Sequence, residues 1–193
     1  MTSKHFAVVG NPIDHSLSPN IHSAAYEFLG LDWDYSKFQV PEGSLREFLG
    51  ADGSHLSGIS VTMPLKLEAA ALASSGDEIV SELEIANTLL RKDNEFIAFN
   101  TDVFGIEMAL AQCWGSNIER VAILGSGATA QSALYAVSRR AANAKVLVYA
   151  RDLSRTQSIQ GLGTKLGIAI EVRPLETYSD GQDLTISTIP ATA

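Results

Sequence analysis

The sequence predicts an α/β fold made of two consecutive units, the second of them Rossmann-like. Three observations carry this expectation. Strand-like apolar runs alternate with helical stretches along the whole chain, the pattern that produces parallel sheets. The run Val121-Ala122-Ile123-Leu124 leads straight into Gly125-Ser126-Gly127-Ala128-Thr129-Ala130 and a long alanine-rich stretch. A second apolar strand, Lys145 to Tyr149, follows about twenty residues after this turn. Strand, glycine turn and helix in that order put backbone N–H groups and a helix N-terminus where a pyrophosphate binds. Gly125 permits the tight turn, Gly127 lets phosphates approach the backbone, and Ala130 keeps the helix close to the strand.

The elements follow in order. Phe6-Ala7-Val8-Val9 reads as a strand running into the turn Gly10-Asn11-Pro12. Ser18-Pro19 marks a helix start, with Ser as N-cap and Pro at the first helical position. The helix from Asn20 to Leu29 carries Ile21, Ala24, Ala25, Phe28 and Leu29 at helical spacing, and Gly30 ends it. A strand is expected over Asp34–Val40 and a short helix over Pro41–Leu49, closed by Gly50. Gly58 to Thr62 reads as a third strand, and Pro64 starts a helix through about Ala73. Asn87–Leu90 and Glu95–Phe99 form a hairpin around Asp93-Asn94. A helix from Val103 to Cys113 leads into the second unit, with strands near residues 121–124, 145–149, 168–172 and 184–188. A complete dinucleotide fold carries about six strands. The sequence stops five residues after Thr188, so the second unit is expected to be C-terminally incomplete. The domain boundaries read from this pattern are 1–102 and 103–193.

Bulk composition narrows the function classes. At 193 residues, 46% hydrophobic and 19% charged, the chain has ample core material for one large domain or two small ones. A net charge of −8 without any Lys/Arg run argues against a nucleic-acid partner and requires anionic ligands to be held by local groups. Cys113 is the single cysteine, which excludes an intrachain disulfide and a cysteine-rich metal site. No signal-peptide plan and no apolar stretch of membrane-spanning length is present, so a soluble cytoplasmic protein is expected.

Several polar residues are hard to explain as packing. The second strand of the glycine-turn unit ends in Ala150-Arg151-Asp152, with Arg155 close behind, where NAD-binding folds place a carboxylate for the ribose 2′-hydroxyl. Two guanidiniums there favour the 2′-phosphate of NADP, although Asp152 leaves NAD possible. In the first unit, His15 to His22 forms a polar turn after a strand. Ser60-Val61-Thr62-Met63-Pro64-Leu65-Lys66 forms a second such cluster, and Ala86-Asn87-Thr88 with Asn100-Thr101-Asp102 a third. All lie at strand ends, where open α/β sheets bind ligands. Lys66 stands out because the positive end of a helix dipole disfavours an ammonium in the first turn. That setting suits a group that gives up and takes back a proton. Its bland reading is a long side chain reaching to water. Asp102 and Ser18 also read as ordinary N-caps. His15 and His22 show no metal-ligand spacing, so no metal is expected.

Taken together, these segments resemble the shikimate dehydrogenase family. The family pattern G-N-P-x-x-H-S-x-S-P-x-x-H is matched by Gly10 through His22. The further motifs fall, in order, at Gly58–Lys66, Ile85–Thr88, Asn100–Gly105 and Gly125–Ala130. The resemblance implies an N-terminal α/β substrate domain and an NADP-binding Rossmann domain. It also implies reversible, NADPH-dependent reduction of 3-dehydroshikimate to shikimate, in chorismate and aromatic amino-acid biosynthesis, by a monomer or homodimer. Family substrate ligands map onto Ser16 and Ser18 for the carboxylate, and onto Thr62, Lys66, Asn87 and Asp102 for ring hydroxyls. By the same resemblance, Lys66 and Asp102 match the family's catalytic pair. Gly125, Ser126, Gly127, Ala128, Thr129, Ala130, Arg151 and Arg155 are the expected cofactor-binding set. Three departures stand out. Ser60 replaces the usual Asn, shortening a substrate-binding arm or admitting a relative such as quinate. Ala150-Arg151-Asp152 replaces Asn-Arg-Thr. Family members also continue past the strand ending near Pro190, adding strands and a helix that bears a substrate-binding Gln, which implies weak or absent turnover for 193 residues alone. An NAD-dependent quinate/shikimate dehydrogenase and a non-catalytic shikimate-binding module are the alternative readings.

Overall fold

The computed structural model describes residues 3–113 and 118–189, and the chain divides into two units between Thr101 and Asp102. The first unit contains β1 (Lys4–Gly10), α1 (Ser18–Phe28), β2 (Trp33–Gln39), α2 (Leu45–Gly50) and β3 (Gly58–Val61). It continues with α3 (Lys66–Leu72), β4 (Ser75–Gly76), α4 (Glu78–Leu83), β5 (Thr88–Lys92) and β6 (Glu95–Phe99). Its strands form one sheet in the order β2-β1-β3-β5-β6-β4. β1 runs parallel to β2 and β3, while β5 is antiparallel to both β3 and β6. The C-terminal ends of β1, β3 and β6 and the N-terminal end of β5 therefore share one edge of the sheet.

Period-two alternation decides what each face buries. Ala7, Val9, Ile59, Val61, Leu89 and Ala98 point to one side, where Leu45 and Leu49 of α2, Ala69 of α3 and Leu65 just before α3 cover them. Val8 and Tyr35 point to the other side and pack with Phe6 and with Tyr26 of α1.

Four helix expectations are corrected. Helix α1 begins at Ser18 with Leu17 as its cap residue, so Ser18 is the first helical residue and Pro19 the second. Its inward face is also not the predicted apolar one: α1 buries no residue fully, and Ile21 and Phe28 are 65% and 90% exposed. The inward positions are His22 and Tyr26, whose rings meet Tyr35, Trp33 and Phe6. These rings offer large areas to a face already aromatic on the sheet side. Pro64 precedes α3 instead of opening it, which makes Lys66 the first helical residue. The stretch before Leu45 is turn, and α4 is an element that apolar periodicity did not reveal. Its signal is Asp77, an N-cap whose Oδ1 accepts the Val80 N–H at 2.7 Å.

The second unit contains α5 (Asp102–Cys113), β7 (Arg120–Leu124), α6 (Ala128–Arg140), β8 (Lys145–Ala150), α7 (Gln157–Leu166), β9 (Ile170–Pro174) and β10 (Leu184–Ser187). Its sheet is wholly parallel, in the order β10-β7-β8-β9. The chain builds outward from β7 through β9 and then returns to the other side of β7, so a topological switch lies between β7 and β10. Val121, Ile123, Val146 and Val148 are fully buried, as are Ala130, Ala133, Leu134 and Val137 of α6. Such continuous apolar strands reflect burial on both faces. Among the described residues, no helix is long and apolar enough to cross a membrane. Pro190, at the expected end of the last strand, lies outside the described residues.

Candidate active site

Strand direction collects the first-unit candidates on one edge. Ser16 and Ser18 follow β1, Thr62 and Lys66 follow β3, Asn87 precedes β5, and Asn100 and Thr101 follow β6. Backbone bonds lock the loops together. The Asn11 N–H donates to the Met63 carbonyl at 2.9 Å, and the Thr62 N–H donates to Val9 at 2.9 Å. The Val61 N–H donates to the Asn87 carbonyl at 2.7 Å. Gly10 is required by this approach, because a Cβ there would overlap Thr62 Cγ2.

The Ser16 hydroxyl accepts the Ser18 N–H at 3.4 Å, a local turn that sets both serines at the start of α1. Lys37 Nζ donates to the Asp14 carbonyl at 2.6 Å and pins the same loop from β2. Lys66 opens α3, and its carbonyl accepts the Ala86 N–H at 3.0 Å, tying the lysine's backbone to the segment that carries Asn87.

Asn87 is held by a reciprocal pair. Its Nδ2 donates to Thr101 Oγ1 at 2.8 Å, and its Oδ1 accepts the Thr101 N–H at 3.1 Å. The Thr88 hydroxyl donates to the same Oδ1 at 3.1 Å. Asn100 is 2% exposed, and its Nδ2 donates to the Ile85 carbonyl at 3.1 Å. The Asn100 N–H in turn donates to Asp77 Oδ2 at 3.1 Å. Asp102 follows Thr101 by one peptide bond and opens α5, where the helix dipole favours a carboxylate. It is thus the first helical residue and not the flanking cap.

Ser60 lies on β3 beside Thr88, its cross-strand partner, and accepts a hydrogen bond from the Tyr35 hydroxyl at 2.7 Å. Burial pushes the Tyr35 phenol above its ordinary value. Neither Tyr35 nor Asp77 stood out in the sequence as a site residue. For Asp77 the capping signal was available, whereas Tyr35 reaches Ser60 across the intervening β1, a contact with no local signature.

In the second unit, Gly125 to Ala130 sits at the C-terminal end of β7, at the topological switch where open α/β sheets bind ligands. Gly125 has φ +110°, and a Cβ there would overlap Thr188 Oγ1. Thr188 itself is fixed by donating from its N–H and its hydroxyl to the Leu124 carbonyl at 2.9 and 2.8 Å. At Gly127 a Cβ would meet nothing within 4 Å, so the backbone is open to close approach. No side chain caps α6 at Gly127. An open glycine before a long helix fits a pyrophosphate.

Arg151 and Arg155 are exposed just beyond β8. Asp152 is engaged locally: its Oδ1 accepts the Ser154 N–H at 2.9 Å and the Ser154 hydroxyl at 2.6 Å. These bonds, with Arg155 nearby, hold its carboxyl below the usual aspartate range. Two arginines beside a carboxylate occupied by its own turn fit a 2′-phosphate better than a bare ribose.

Comparison with known proteins agrees with this geometry. A family model described as the shikimate dehydrogenase substrate-binding domain matches residues 8–89. The crystal structure of Mycobacterium tuberculosis shikimate dehydrogenase superposes with a TM-score of 0.79 at 32% identity, covering 98% of this chain and 71% of that one. The chain belongs to the shikimate dehydrogenase family. A family relative from Ignicoccus hospitalis, named shikimate dehydrogenase (NADP(+)), is 36% identical over 163 residues, covering 84% of this chain and 60% of its own length. The Thermus thermophilus family member, whose structure holds NADP(H) and shikimate, superposes with a TM-score of 0.78 at 29% identity, over 96% of this chain and 68% of that one. The chain thus spans about 60% of the length of the curated family relatives it matches first.

Proposed function

We propose that this chain carries out the NADP-dependent, reversible reduction of 3-dehydroshikimate to shikimate, within chorismate and aromatic amino-acid biosynthesis in the cytoplasm. In this reading residues 1–102 bind substrate and residues 103–193 bind NADP. The observation that carries it is the gathering of Ser16, Ser18, Thr62, Lys66 and Asn87 on one edge of the first-unit sheet. The paired bonds between Asn87 and Thr101 bring the start of Asp102 to the same edge.

The residues divide the work by chemistry. Ser16 and Ser18 hold the carboxylate with neutral hydroxyl donors, consistent with an acidic chain. Thr62 and Asn87 hold ring hydroxyls. NADP, when bound, supplies the hydride chemistry, and Gly125 to Ala130 would hold its pyrophosphate while Arg151 and Arg155 would hold its 2′-phosphate. In the oxidative direction the C3 hydroxyl must lose its proton as that carbon becomes a carbonyl. The Lys66 amine takes this proton, and the Asp102 carboxylate orients the lysine.

The test has two arms. Shikimate titrated into the 193-residue chain should bind, and no binding would end this reading. NADPH formation from shikimate should then fall about a hundredfold or more in Lys66→Ala with cofactor affinity unchanged. Equal rates in the variant would remove the proton-transfer role, and binding without any hydride transfer would mark a binding module. Running quinate and NAD in parallel tests the specificity assigned to Ser60 and to the two arginines.

A further inference from the structure

We propose that Tyr35 is a substrate-positioning residue that acts through Ser60, fixing the serine hydroxyl as a proton donor toward an acceptor oxygen of the bound hydroxy acid. The inference rests on the functional reading above and adds to it a residue outside every motif. Tyr35 lies on β2 and Ser60 on β3, with β1 between them. In register, Phe6 aligns with both Tyr35 and Gly58, and Val8 aligns with Ser60, so the phenol reaches diagonally over Val8. Its hydroxyl ends 2.7 Å from Ser60 Oγ.

The ring has little freedom to leave. Tyr35 is 8% exposed, and its ring stacks on His22 of α1 with centroids 4.1 Å apart and planes 3° from parallel. Burial raises the phenol's pKa, so Tyr35 keeps the proton that it donates to Ser60. A serine hydroxyl has one proton and two lone pairs. With one lone pair taken by Tyr35, the Ser60 proton is left to point elsewhere. On the other flank Ser60 pairs with Thr88, whose hydroxyl donates to Asn87. The polar side chains thus follow one another from Tyr35 to Ser60 and, across the Ser60–Thr88 strand pair, from Thr88 to Asn87, itself a candidate substrate ligand.

This arrangement gives the shorter side chain a defined role. A carboxamide at this position would offer both a donor and an acceptor. A serine that accepts from Tyr35 keeps one lone pair and its proton, and that proton is turned away from the phenol, toward a ligand oxygen placed to accept.

The experiment measures shikimate affinity of the 193-residue chain by titration for the wild type, Tyr35→Phe, Ser60→Ala and the double variant. Tyr35→Phe retains the ring and its stack on His22, so its thermal midpoint should stay close to wild type while shikimate binds about three- to tenfold more weakly. Ser60→Ala should weaken binding at least as much. The double variant should bind no more weakly than Ser60→Ala alone, because Tyr35 has nothing left to orient. Unchanged affinity in either single variant, or additive losses in the double, would overturn the proposal while leaving the functional reading intact. Absence of shikimate binding by the wild type would overturn that reading and this inference with it.

Discussion

Replacing Asp77 with Ala tests whether one carboxylate organises the site edge from outside it. Asp77 Oδ1 caps α4 through the Val80 N–H at 2.7 Å, and Oδ2 accepts the Asn100 N–H at 3.1 Å. Losing an Asp N-cap costs about 1 kcal/mol. Losing a hydrogen bond to a charged acceptor beside the buried Asn100 costs about 1.5 kcal/mol more. Asp77→Ala should therefore destabilise the first unit by about 2–3 kcal/mol. Asp77→Ser keeps an acceptor for the cap but cannot bridge to Asn100, so it should lose only the second part, about 1.5 kcal/mol. Amide exchange resolves the two contributions: both variants should expose the Asn100 amide, and only Asp77→Ala should expose Val80. Because Thr101 follows Asn100 and is bonded to Asn87, shikimate affinity should fall in both variants. A loss below about 0.5 kcal/mol in Asp77→Ala, or an Asn100 amide as protected as in the wild type, would refute the bridging role.

Other perturbations address the second unit. Gly125→Ala must adopt φ +110° against Thr188, so it should lower stability by at least about 1 kcal/mol in denaturant unfolding. Gly127→Ala meets open space and should fold normally, yet bind NADP more weakly because its methyl stands where phosphates approach. Removing Arg151 and Arg155 together should cut NADP affinity about tenfold or more with little effect on NAD, and equal losses for both nucleotides would contradict the 2′-phosphate assignment. Backbone N–H groups of Arg120 and Glu119 hold the Asp183 carboxyl below the ordinary aspartate range. Its contribution to the β7–β10 edge is therefore present above the unfolded aspartate value and lost as pH falls through the lower folded one. A carboxyl-carbon titration with its midpoint at or above the ordinary value would count against this.

Legibility in the sequence followed the range of the interactions. Most strands were readable because alternation and continuous apolar runs are properties of a few consecutive residues, whereas the two-residue β4 had no such run and β9 begins two residues later than expected. β7 and β8 lie within one residue of their expected bounds. The hairpin was readable from its turn, and Asp93 does adopt φ +56°. Helix faces were less legible. The apolar stripe of α1 suggested Ile21 and Phe28 as core, whereas Tyr35, Trp33 and Phe6 drew in His22 and Tyr26. Helix α4 is six residues long and too short for periodicity to register. It was missed, and its one local signal is the Asp77 cap.

By itself the sequence determined which residues could do chemistry, since motif order and spacing are local, and it marked the glycine turn whose conformation only glycine adopts readily. Tertiary structure decided which of those residues meet. A sheet with one antiparallel strand brings the ends of three strands and the start of a fourth to one edge. The reach of Tyr35 across β1 to Ser60 is set by inter-strand register. Register is a relation between segments far apart in the chain, so no single segment encodes it.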